Sequence, residues 1–254
     1  MSTKILPVAA LLLAVMPLVA PCSAQEPPVK SPDITTVPEW LVNFSNLPRE
    51  EREQYLRAFN NAKRAYQQGQ WVACIGFLAD CEILFSENPN VWNLRACCLM
   101  EQKFFDEAAE ELERAIKVLP ADPVTALNLA NMHMIRGRYA ESIAVLDNLQ
   151  AKLPYDSPRE LLDVLVFRSV LCHVLMGQES EAKALVAHLS AISDTPLYYY
   201  SQAVFALVRK DRLEASRCLR VASSIFSKGN ALVPYQRALE LSGIANMDAA
   251  APRR

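Results

Sequence analysis

Residues 89–119 read PNVWNLRACCLMEQKFFDEAAEELERAIKVL, and 123–153 repeat them in altered form as PVTALNLANMHMIRGRYAESIAVLDNLQAKL. Proline opens both stretches, and Ala96 pairs with Ala130, Ala108 with Ser142, Leu112 with Leu146 and Pro120 with Pro154. The same 34-residue register reaches upstream: Gly69, Lys103 and Gly137 are evenly spaced, as are Trp71, Phe105 and Tyr139, Cys74, Ala108 and Ser142, and Leu78, Leu112 and Leu146. A fixed period of this length marks helical hairpins too small to bury their own apolar faces and stabilised by stacking on their neighbours.

Working outward, the apolar spacing and the Gly/Pro punctuation give five hairpins. The first spans Pro48 to Phe85 with its turn at Gln68-Gly69-Gln70. The second spans Pro89 to Leu119 and turns at Gln102-Lys103; the third spans Pro123 to Leu153 and turns at Arg136-Gly137-Arg138. Asn88 and Asp122 stand before the opening prolines as capping side chains, and Ser45 or Asn46 is placed to cap the first helix. The fourth hairpin is irregular, because Gly177 comes 40 residues after Gly137, so its first helix, starting near Ser157-Pro158, is longer by more than a turn. The fifth spans Pro196 to Phe226 with a turn at Lys210-Asp211, and a last helix from Val233 to Ile244 follows Gly229-Asn230. Gln236, Arg237 and Glu240 suit the polar outer face of a terminal cap. The expected fold is all-α: about five antiparallel helical hairpins and a capping helix in one repeat domain over 48–244, with a frayed tail at 245–254.

The N-terminus has the form of a targeting segment. Lys4 supplies positive charge, Ile5 to Val19 an apolar run, and Cys22-Ser23-Ala24 a small-residue cleavage site, which makes 1–24 a signal peptide and Gln25 the first mature residue. The run is about 15 residues, interrupted by Pro7 and Pro17, whereas a spanning helix needs about 20. This reading makes the protein exported, periplasmic or secreted, with no membrane span. The competing reading is a lipid anchor on Cys22 after Leu18-Val19-Ala20; Pro21, standing where Gly or Ala is expected, disfavours it. Residues 25–47 form a linker with Pro27, Pro28, Pro32 and Pro38 that ends in a short apolar segment of Trp40, Leu41 and Phe44.

The mature chain keeps Cys74, Cys81, Cys97, Cys98, Cys172 and Cys218. Cys74 and Cys81 occupy places where the next repeat has Ala108 and Ala115, which reads as small core packing; a bridge from Cys81 to Cys97 or Cys98 is the alternative. A formal charge of −2 offers no basic surface for nucleic acid. The 6 glycines are scattered at turns and form no phosphate loop, so no cofactor is expected. Met132-His133-Met134 looks like a copper triplet, but consecutive helical residues diverge and no second ligand cluster accompanies it. Tyr198-Tyr199-Tyr200 spans most of a helical turn, which puts at least one ring in the core. Glu110-Glu111 reads as a solvated helix face. No nucleophile, base and orienting acid assemble, so the chain is not read as an enzyme.

The small, aromatic and proline positions resemble the tetratricopeptide repeat. Its pattern appears as Trp92, Arg95-Ala96, Leu99, Ala108, Leu112, Ala115 and Pro120 in the second unit, and as Ala126, Leu129-Ala130, His133, Ser142, Leu146 and Pro154 in the third. Ala96 and Ala130 replace the family's glycine, and Leu112 and Leu146 its aromatic. The resemblance implies a right-handed superhelix whose groove, lined by the first helix of each hairpin, binds a protein or peptide partner. Here that face carries Asn93, Leu127, Asn131, Met134, Phe167, Leu171, Tyr200 and Val204, so the implied groove is mostly apolar and lacks the carboxylate clamp of some relatives. A strip of this kind is costly to leave in water, and calls for a partner, the Trp40 segment or the last helix to cover it. Two functions stay open: a scaffold for protein binding in the periplasm or cell envelope, and a structural or lipoprotein component of an envelope assembly such as outer-membrane biogenesis, pilus or secretion machinery.

Overall fold

The computed structural model describes residues 37–193, 195–227 and 229–244. The expected leader at 1–24, Cys22, most of the proline-rich linker and the tail at 245–254 lie outside the described residues. Among those described the chain is all-α, with no strand. It divides into two compact units, one ending at Val118 and one beginning at Leu119, where the sequence suggested a single array.

The first unit comprises α1 (Glu39–Ser45), α2 (Arg49–Gln67), α3 (Trp71–Leu84), α4 (Pro89–Glu101) and α5 (Phe105–Val118). α5 shows why these residues make hairpins. Ala108, Leu112 and Ala115 recur at helical spacing and are fully buried, while Asp106, Glu107, Glu110 and Glu113 keep the other side in water. Tyr55, Tyr66, Leu78, Trp92 and four cysteines share the core. Asn88 accepts from the Asn90 amide and donates to the Tyr55 hydroxyl at 2.7 Å, which ties the second hairpin to the first.

Three details differ from the sequence reading. The apolar segment expected to end a linker is helical α1, with Phe44 edge-on to Tyr55 (4.9 Å) and Phe85 (5.4 Å). Asn46 closes α1, and α2 starts behind Pro48 with no side-chain cap, so neither Ser45 nor Asn46 caps it. All six cysteines from Cys74 to Cys218 are free, which removes the bridge from Cys81 to Cys97 or Cys98. Cys74 and Cys98 are hydrogen-bonded to each other, and burial pushes the Cys81 and Cys97 thiols up to about 12.

The second unit comprises α6 (Pro123–Ile135), α7 (Tyr139–Lys152), α8 (Arg159–Leu175), α9 (Glu179–Val186), α10 (Pro196–Val208), α11 (Arg212–Ile225) and α12 (Val233–Ser242). α8 runs 17 residues where α6 and α10 run 13, and with the longer link 153–158 before it this accounts for the stretched fourth repeat. Asp122 caps α6 by accepting from the Thr125 amide, and Thr195 caps α10 by accepting from the Leu197 amide. Each opening helix then begins with proline.

All five hairpins turn in one way. The bonds Gln70 to Ala65, Phe104 to Leu99, Arg138 to His133, Gln178 to His173 and Asp211 to Ala206 run from amide to carbonyl across six residues, each enclosing a second, shorter bond. This is the Schellman closure, and it needs one residue in the left-handed region. Gly69, Gly137 and Gly177 supply it with φ of 72°, 72° and 78°, while Lys103 and Lys210 adopt 67° and 63° at the same place. A side chain there costs about 1 kcal/mol of backbone energy. A Cβ at Gly137 or Gly177 meets nothing within 4 Å, so the backbone alone sets that cost. Lys103→Gly and Lys210→Gly should each raise stability by up to about 1 kcal/mol and Gly137→Ala lower it by about as much. Urea denaturation would read this, and indifference at all three positions would contradict it.

Candidate functional site

The first helices of the second unit present one apolar stripe: Leu127, Asn131 and Met134 on α6, Phe167 and Leu171 on α8, Tyr200 and Val204 on α10. Their spacing of three or four residues puts each set on one helix face. The sequence reading took these as exposed groove residues. In the structure all seven are at most 3% exposed. Asn93, the eighth, lies on α4 of the first unit and is half-buried.

Over Phe167 and Tyr200 the stripe is closed by α12, the last of the described helices. α12 packs on α6, α8 and α10, the first helices of all three hairpins in its unit. Tyr235 drives this packing. Its ring lies 5.2 Å from Phe167 and 5.3 Å from Tyr200, and those two meet edge-on at 5.8 Å, so three rings form one cluster. Its hydroxyl is hydrogen-bonded to Thr195, whose own hydroxyl donates to Asp163. Burial holds the Tyr235 phenol well above its ordinary pKa, with nearby Asp163 adding to the effect. Ala238 and Leu239 complete the buried side of α12, Gln236 is hydrogen-bonded to the Tyr200 hydroxyl, and Glu240 stays exposed beside Arg237. The expected polar cap is thus present on one side only, since the Arg237 side chain is largely covered.

Arg168 lies in the same region. Wholly buried, it donates to Asn131 Oδ1 at 3.0 Å and to the Val164 carbonyl at 3.3 Å, and forms no ion pair among the described residues. Loss of water lowers its pKa to about 10, which still leaves it charged at neutral pH. A buried cation held by neutral acceptors is costly, and Asn131 and the Val164 carbonyl offset part of that cost.

The first unit carries a different feature. Arg95 stands where the repeat pattern has leucine, and its guanidinium bridges Glu82 of α3 (2.5 Å) and Glu111 of α5 (3.1 Å). Glu111 is therefore a partly buried ion-pair member and not the solvated residue the sequence suggested; Glu110 remains exposed. Arg114 lies 3.8 Å over the Trp92 ring. Met132, His133 and Met134 are all buried within α6, and among the described residues no three His, Cys, Asp or Glu side chains come together as a metal site would need. Of the three tyrosines, Tyr199 and Tyr200 are buried and Tyr198 is half-exposed. No described helix is long and apolar enough to cross a membrane.

The residues the sequence reading missed are Tyr235, Thr195 and Arg168. Thr195-Pro196 is visible as a cap signal, but a hydroxyl hydrogen-bonded to a distant tyrosine leaves no local trace. Because the stripe is core, Phe167→Ala should cost about 3–5 kcal/mol, and adding Tyr200→Ala should cost more. A denaturation midpoint unchanged by Phe167→Ala would show that the stripe is open to solvent.

Comparison with known proteins fits this geometry. Residues 89–122 match the family model of the tetratricopeptide repeat. No curated protein matches the chain in sequence. Among solved structures it is similar to PilW, described as a widely conserved type IV pilus biogenesis factor, at 19% identity and a TM-score of 0.55, covering 76% of this chain and 89% of that one. A thermophilic TPR protein of Thermus thermophilus gives 17% identity and 0.53, covering 73% and 99%. A tetratricopeptide repeat protein from Parabacteroides merdae gives 16% and 0.52, covering 82% and 75%. These likenesses speak for the fold. One tetratricopeptide repeat is matched at 89–122, and the helical-hairpin fold is that of solved tetratricopeptide-repeat proteins.

Proposed function

We propose that the protein is a non-enzymatic protein–protein interaction scaffold of the periplasm or cell envelope, binding a protein or peptide on the mostly apolar inner face of its hairpins. One observation carries this reading: the inner face of the second unit already holds a helix, α12, by side-chain burial. Few charges take part, so binding there depends weakly on salt. Export rests on Lys4, the apolar run from Ile5 to Val19 and the cleavage site at Ala24.

The second reading, a component of an envelope assembly, is favoured by the fold likeness to a pilus biogenesis factor. Acylation of Cys22 would favour it further. N-terminal sequencing together with affinity capture from envelope extracts, using the mature chain as bait, tests both. The scaffold reading expects a chain beginning at Gln25 that enriches a defined envelope protein. An unprocessed Met1 in the cytoplasm would contradict export, and a diacylglyceryl-modified Cys22 would move the protein to the second reading.

A further inference from the structure

α12 lies where a terminal cap has no need to be. A helix that follows the fifth hairpin needs to cover only that hairpin, α10 and α11, whereas α12 reaches back across α8 to α6, the first helix of its unit. That path follows the inner faces of three successive hairpins, which is the surface assigned above to a partner. The residues it buries there, Tyr235, Ala238 and Leu239, fall at i, i+3 and i+4, the spacing by which an amphipathic helix docks in a groove.

Two further features suit a helix that can leave. α12 is 10 residues long, and an isolated helix that short is marginal in water, so its order depends on the face beneath it. Gly229, with φ of 74°, stands in the link between α11 and α12. The contact is also selective. The Tyr235 hydroxyl meets Thr195 at the start of α10, so a phenylalanine would leave that position without its hydrogen bond while still filling the aromatic cluster.

We propose that α12 holds the place of a partner: the inner face of α6, α8 and α10 is a docking surface for an amphipathic helix of another protein. That helix presents tyrosine, a small residue three positions on and leucine four positions on, and it binds by displacing α12. The inference rests on the scaffold reading and adds the occupant and its pattern.

The test uses a fluorescein-labelled peptide of residues 229–244 and two full-length chains, the wild type and one carrying Tyr235→Ala with Leu239→Ala in its own α12. The peptide should bind the double variant at least about tenfold more tightly than the wild type, and lose about tenfold when its own Tyr235 is changed to Ala. Equal affinity for both chains, or binding to neither, overturns the proposal. Should the double variant fail to fold, hydrogen exchange on the wild type decides. Amides of α12 should exchange about a hundredfold faster than those of α8, because the helix opens without the unit unfolding. Equal protection in the two helices overturns the proposal. A native partner that binds both chains equally would leave the scaffold reading intact and overturn this one.

Discussion

Covering apolar surface governs this molecule at every level. A hairpin of two helices closes one seam between them and leaves further apolar faces that only a neighbour can cover. Within each unit, small residues let the helices approach: Ala96 and Ala108 in the second hairpin, Ala130 and Ser142 in the third, all essentially without exposure. Ser142 spends its hydroxyl on the Ala130 carbonyl at 2.8 Å, so a polar side chain sits in a tight contact without an unmet hydrogen bond. In the second unit the first helices α6, α8 and α10 are covered in part by a further helix of the same chain. That helix is α12, and its Tyr235 joins Phe167 of α8 to Tyr200 of α10 in one cluster.

Much of the fold was legible because the features that carry it are local and periodic. The left-handed turn residue, the proline behind its cap and the small residue at each close contact all recur at set intervals, and each has a physical requirement that few residue types satisfy. Lys103 and Lys210 show that the register outlasts the residue type, since both hold the left-handed turn that glycine holds elsewhere. Features that depend on long-range contact were less legible. α1 is held in place by Phe44 against Tyr55 and against Phe85 of the neighbouring helix pair, and the division at Val118 and Leu119 has no local marker.

The candidate site divides in the same manner. Spacing alone places Phe167, Leu171, Tyr200 and Val204 on the first helices of their hairpins, and the structure puts them there. Whether that face is open or covered depends on where a distant segment lies, and the sequence allowed a partner, the Trp40 segment or the last helix. Arg168 illustrates the limit further. An arginine in an apolar helix suggests a surface position or an ion pair, yet here Asn131, 37 residues away, accepts from it within the core. Arg95 shows the reverse: a charge in a leucine position satisfied by Glu82 and Glu111, one of which had looked like plain surface.

The account stands on the inner face of the second unit being closed by its own chain. Hydroxyl-radical footprinting of the intact protein measures this directly, with Tyr155, which is fully exposed, as internal reference. Phe167 and Tyr200 should oxidise as slowly as the buried Tyr55 and at least about tenfold more slowly than Tyr155. Oxidation of Phe167 and Tyr200 at the rate of Tyr155 would mean that α12 does not lie on that face in solution, and would contradict the account.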